Sequence, residues 1–145
     1  MSTPRWAASP PRVAERSPLL RPPPLQKGDT IGVVASSYSP RAGWLARGVR
    51  ALERAGYGVL VDPELSTTRR YQRAEDERRA ESFTKMWLDP RVKAVIGGTG
   101  GYGAVRMLPY LDPELFRATP KSTKIGGSKP FPLRNSVMSV TTVRL

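Results

Sequence analysis

Three groups of small residues in this chain have types and spacings suited to chemistry at a carbonyl. Five glycines fall within Gly97-Gly98-Thr99-Gly100-Gly101-Tyr102-Gly103, directly after an apolar run, Val92-Lys93-Ala94-Val95-Ile96. Glycine accepts positive φ and lets a ligand approach the backbone, so the stretch reads as a loop presenting backbone N–H groups. Such groups at a strand-to-helix turn can stabilise a developing oxyanion. The second group is Gly126-Gly127-Ser128-Lys129, where Ser128 follows a strand-like segment, and the third is the polar loop Ser36-Ser37-Tyr38-Ser39. A strained serine elbow needs small neighbours. Here the pattern is Gly126-x-Ser128-x-Pro130, without the elbow's last glycine, so by itself Ser128 also reads as an ordinary loop serine.

Phosphate binding is the competing chemistry. Gly98-x-Gly100-x-x-Gly103 matches the dinucleotide fingerprint letter for letter. That fingerprint belongs to the first strand of its unit and wants an acid about 20 residues later for the ribose. Asp112 and Glu114 come too early, the loop follows a third strand, and no phosphate-loop Gly-Lys-Ser/Thr stands at a strand end. The chain holds neither cysteine nor histidine. Disulfides, thiolate metal sites, imidazole ligands and any internal Ser–His or Cys–His pair are thereby excluded. No cofactor and no metal are expected, and the missing cysteine fits a reducing compartment.

The elements that must carry these loops alternate. Thr30–Ala35 is a β-rich run without polar alternation, as expected for a strand covered on both faces. Arg41–Ala55 reads as a helix, with Leu45, Val49, Leu52 and Ala55 at three- and four-residue spacing and Gly56 as its stop. Val59–Val61 is a short second strand. A helix from Ala74 to Leu88 follows, with Asp76 and Glu77 in its first turn, where the dipole favours acids, and a buried stripe of Ala80, Phe83, Met86 and Trp87. Asp89-Pro90 ends it. Residues 92–96 form the third strand, Ala104–Leu111 a short helix, Pro113–Arg117 a helical turn and Ser122–Ile125 a fourth strand. The alternation implies an α/β fold, a parallel sheet with flanking helices. Ligands of such sheets collect outside the carboxyl ends of the strands, where the Ser36–Ser39 loop, the glycine loop and Ser128 all fall. Tyr38, Trp44, Trp87 and Tyr102 are candidate ligand platforms; Trp87, on a helix stripe, reads as core, and Tyr102 fits either role.

Composition sets the remaining bounds. The 145 residues suit one domain, and 39% apolar content allows a modest core. The net charge of +12 invites a nucleic-acid reading. Its distribution argues otherwise, since nine of the twelve excess charges lie in residues 1–24 and 117–145. Residues 1–24 hold seven of fifteen prolines, including Pro22-Pro23-Pro24, and read as a disordered Pro/Arg-rich leader. They lack the apolar run of a secretory signal. Nothing approaches the roughly 18 apolar residues of a membrane helix, so no membrane is expected as a partner.

Several motifs in order resemble one family. Leu25-Gln-Lys-Gly-Asp-Thr-Ile-Gly-Val-Val-Ala-Ser-Ser is similar to the opening of the LD-carboxypeptidases, serine peptidases that include microcin-immunity-type hydrolases. Ala51-Leu-Glu-Arg-Ala-Gly-Tyr resembles the end of their first helix. Asp76–Ala80 through Asp89-Pro90-Arg91-Val92-Lys93-Ala94-Val95 resembles their second helix and third strand. Gly100-Gly101-Tyr102-Gly103-Ala104-Val105-Arg106-Met107-Leu108-Pro109 resembles their glycine loop. The likeness covers about residues 25–128, leaving 129–145 as a divergent basic tail.

The resemblance implies a class I glutamine amidotransferase-like N-terminal domain, here incomplete, since the family carries a second domain. It implies cleavage between an L- and a D-amino acid in murein peptides, releasing terminal D-alanine in the cytoplasm during wall recycling. Carried over, Ser128 is the nucleophile, and the backbone N–H groups of Gly101 and Lys129 form the oxyanion hole. Ser36, Ser37, Gly100 and Tyr102 are the candidate substrate-binding residues. This sequence departs from the family at Thr99, where many members have arginine, and at Gly127 and Lys129, which replace Tyr and Asp. The family's glutamate and histidine belong to the second domain. Without a base a serine hydroxyl is a poor nucleophile, so the expectation is a truncated or frame-disrupted, inactive member. An undocked domain face would expose apolar surface and favour self-association, including a homodimer. The alternatives are a non-catalytic murein-peptide-binding module and a basic, non-specific nucleic-acid binder.

Overall fold

The architecture is that of a computed structural model, which describes residues 21–66 and 73–124. Four strands, β1 (Thr30–Val34), β2 (Gly58–Val61), β3 (Val92–Gly97) and β4 (Ser122–Lys124), form one sheet in the order β2-β1-β3-β4. Every pairing is parallel. The helices are α1 (Ala42–Arg54), α2 (Arg73–Leu88), α3 (Gly103–Met107) and α4 (Pro113–Ala118), with 3₁₀ turns at Pro63–Ser66 and Leu108–Tyr110.

The unbroken apolar character of β1 follows from its place. It pairs with strands on both sides, and Ile31, Val33 and Val34 are buried. Ile31 and Ala94 pack with Leu52 of α1 on one face, where Leu25 joins them. Val34, Val92 and Val95 pack with Phe83, Met86 and Trp87 of α2 on the other. Val92 and Val95 share a face because the register slips between Thr30 and Ile31, so that Lys93 is skipped in the pairing. An extra residue in one strand inverts the side-chain alternation beyond it.

The stripe expected on α2 is the core of that second layer. Trp87 stacks on Phe83 at 5.8 Å and meets Phe116 of α4 edge-on at 4.9 Å. Its indole N–H donates to the Thr119 carbonyl at 2.9 Å, which satisfies the one polar atom that burial would otherwise penalise. Trp87 is thus a core residue.

Two segments differ in detail from the periodic pattern. The helix expected over Ala104–Leu111 ends at Met107 and tightens into the 3₁₀ turn. Pro109 has no N–H to continue an α-helical ladder. The turn expected at Pro113–Arg117 is the full helix α4, whose start is capped by the Asp112 carboxylate accepting from Glu114 N–H at 3.0 Å. Ile125 lies outside the described residues, as do most of the Pro/Arg-rich leader and the basic tail. Among the described residues no helix is long and apolar enough to cross a membrane.

Candidate functional site

The strand order places a topological switch between β1 and β3. From β1 the chain moves to β2 on one side, then returns to β3 on the other. Connections leave the two central strands in opposite directions there, opening a crevice at the carboxyl edge. The loop after β1 and the glycine loop after β3 flank that crevice.

The two loops are tied to each other. The Ser36 hydroxyl donates to the Thr99 carbonyl at 2.9 Å, and the Thr99 hydroxyl donates to the Tyr38 carbonyl. Gly98 N–H donates to the Val34 carbonyl at 2.9 Å, carrying the sheet ladder one step past the end of β3. Thr99 therefore serves here as a latch with both its carbonyl and its hydroxyl.

Close approach explains two of the glycines. A Cβ on Gly97 would lie 2.3 Å from Ser36 Oγ, which the backbone of β3 meets directly. Gly101 has φ +147°, and a Cβ there would lie 2.8 Å from Ser37 Oγ. An L side chain rarely adopts that backbone conformation. The Gly101 carbonyl accepts from Ala104 N–H at 3.2 Å, opening α3. Leu65, from the turn after β2, lies against Gly98.

Of the residues expected at the site, the structure brings five together: Ser36, Ser37, Gly100, Gly101 and Tyr102. They occupy two kinds of position. Ser36 and Ser37 are fully buried beneath the glycine loop. Tyr102 is 73% exposed and Tyr38 53%, so both side chains of the flanking loops are largely open to solvent. Trp44, at the start of α1, is 65% exposed, with the Arg47 guanidinium 6.0 Å from its ring centre. Ser128 and Lys129 lie outside the described residues, as do Gly126 and Gly127. Among the described residues no cluster of acids could hold a metal ion.

Sequence reasoning missed one group beside the site. Asp76 stands in the first turn of α2 as expected, but it is also buried, and its carboxylate accepts from Arg79 of α2 and from Arg106 of α3. A signal was available. Asp76, Ala80, Phe83 and Trp87 recur at spacings of four, three and four, so the acid continues the buried stripe.

The comparisons with known proteins agree with this geometry. Residues 31–128 match the family described as LD-carboxypeptidase N-terminal domain. The "Probable murein peptide carboxypeptidase" of Bacillus subtilis is 34% identical over 101 residues, covering 70% of this chain and 32% of the relative. The microcin C7 self-immunity protein MccF of Escherichia coli is 31% identical over 107 residues, covering 72% of this chain and 31% of its own. A mutant of that protein solved with adenosine monophosphate superposes with a TM-score of 0.66 at 30% identity, over 73% of this chain and 32% of the other. The muramoyltetrapeptide carboxypeptidase of Oxalobacter formigenes gives 0.55 at 28% identity, over 65% of this chain and 31% of its own. The chain spans about a third of the length of the relatives it matches. With a parallel sheet, a glycine loop at its switch point and a family match over most of its described residues, the chain belongs to the LD-carboxypeptidases, and what it contains of them is their N-terminal domain.

Proposed function

We propose that this domain supplies the oxyanion half and the nucleophile of a serine-type LD-carboxypeptidase acting on murein tetrapeptides, with terminal D-alanine as the leaving group. The placement of the glycine loop supports this most directly: Gly101 holds a positive φ at the carboxyl edge, braced from below by Ser36 and Ser37. A neutral glycine loop that can present backbone N–H groups is the kind of element that stabilises charge as it develops on a carbonyl oxygen. In this reading Ser128 Oγ attacks the carbonyl carbon before the D-alanine, and the N–H groups of Gly101 and Lys129 receive the oxyanion. Tyr102 and the Gly100 backbone contact the peptide. The buried Ser36 and Ser37 act through the loop they support.

The chain has no histidine to accept the Ser128 proton. The resemblance assigns the family's glutamate and histidine to a second domain, so these residues bind substrate without turning it over. The test combines calorimetry and a D-alanine assay on a murein tetrapeptide. Binding without release is the expected result. Release that Ser128→Ala abolishes overturns the inactivity, and absence of binding overturns the whole reading.

A further inference from the structure

The buried acid on α2 bears on the glycine loop. Asp76 is 2% exposed. Its Oδ2 accepts from Arg106 Nε at 2.8 Å and lies 2.8 Å from Arg106 Nη2. Its Oδ1 accepts from Arg79, whose side chain is equally buried. Arg106 belongs to α3, the helix into which the glycine loop runs, five residues after Gly101. The next residue, Met107, is fully buried in the aromatic core.

A helix of five residues cannot hold its own orientation, because so few internal bonds cannot offset the cost of nucleating it. Its direction must come from tertiary contacts. Met107 is an apolar peg, and dispersion around a flexible thioether is weakly directional. The guanidinium fork on a carboxylate is directional, since its N–H groups lie in one plane and must be aimed at the acceptor, here with Nε and Nη2 both on Oδ2. Asp76 is held by Arg79 on its other oxygen, which fixes the orientation of the acceptor. We propose that the Asp76–Arg106 pair is a positioning device for the glycine loop, fixing the rotation of α3 and with it the direction of the Gly101 N–H. In this role Arg106 acts through Gly103 and the loop. The functional consequence rests on the oxyanion reading above, whereas the mechanical one does not.

Two variants at Arg106 test it, because that side chain is a third exposed and Arg79 still holds the other oxygen of Asp76 when it is changed. Arg106→Gln removes the charge, and Arg106→Lys keeps the charge without the fork. Backbone amide exchange is followed by NMR for residues 98–104 and for β1 and β3, alongside calorimetry with the murein tetrapeptide. Arg106→Gln is expected to speed exchange in the glycine loop by about tenfold, the scale of one charge-assisted hydrogen bond, with the strands unchanged. Arg106→Lys is expected to recover part of that, and peptide affinity to fall in the same order. Unchanged loop exchange in both variants overturns the proposal, and so does a uniform rise across loop and strands, which would mark a general loss of stability. Should Arg106→Gln fail to fold, the same comparison on Arg106→Lys decides. If the native protein binds no peptide while its loop still responds, the oxyanion reading fails and the positioning role stands.

Discussion

At the carboxyl edge of the sheet, the loops after β1 and β3 are joined by hydroxyl-to-carbonyl hydrogen bonds among uncharged residues, with Ser36 and Ser37 buried. At the amino edge, the turn into β3 is held by charge. The Arg91 guanidinium meets the Asp89 carboxylate at 2.6 Å, and the Lys121 ammonium donates to the Asp89 carbonyl at 2.7 Å. Both edges hold an end of β3, yet one depends on shape and the other on ionisation. Neutral, close-packed contacts hold a backbone N–H in place without adding a field that moves with pH. Exposed ion pairs are screened and adjustable, which suits an edge that only closes a turn.

The largest effect should come from crowding the carboxyl edge. Gly97→Ala places a methyl against Ser36 Oγ and Cβ, at a cost of about 2–3 kcal/mol in denaturant unfolding. In a Ser36→Ala background the penalty should shrink, because the nearest atom is gone while Ser36 Cβ remains. Strict additivity in that double-mutant cycle would show that the two loops are not packed through this contact.

Gly101→Ala should rank second. The substitution imposes a positive φ on an L residue and crowds Ser37, for about 1–3 kcal/mol of local strain. Since the loop can relax outward, tetrapeptide binding should suffer more than the unfolding midpoint. Equal losses in both would argue that Gly101 is structural only.

The smallest effect belongs to the amino edge and should depend on pH. Hydrogen bonds from the Arg91 side chain, then its backbone N–H, hold the Asp89 carboxyl at about 2, below the ordinary carboxylate range. A depressed carboxyl stabilises the fold above its unfolded pKa, and that contribution fades as pH falls from about 4 through 2. Asp89→Asn should therefore flatten the acid limb of the stability profile, leaving the neutral region and the glycine loop nearly unchanged. Arg91→Gln should raise the Asp89 titration midpoint, read by NMR, toward the ordinary carboxylate value. An acid response of the loop amides in step with Asp89 would dissolve the contrast between the edges.

The strands and the buried stripe of α2 were legible because each rests on a local period. β1 and β3 carry consecutive apolar residues that only a doubly covered strand can bury, and Phe83, Met86 and Trp87 recur at helical spacing. The glycine cluster marked its own loop, since no other residue tolerates that density of close contacts. Asp76 was legible as a first-turn acid but its partner was not, because such an acid is satisfied by the helix dipole alone and nothing local reveals an arginine thirty residues away. Thr99 was legible only as a departure from the family, since its two hydrogen bonds run to residues more than sixty positions earlier.

The linear order of residues by itself determined the alternation of strands and helices, the all-parallel sheet and the glycine loop at a strand's carboxyl end, because hydrophobic period and glycine content act over a few residues. Only the tertiary structure decided that β1 and β3 lie side by side at the sheet's centre, that Ser36 and Ser37 lie under the loop and that Asp76 reaches Arg106. These contacts join distant parts of the chain, and their partners are selected by packing and by the need to satisfy every buried polar group, which no local pattern encodes.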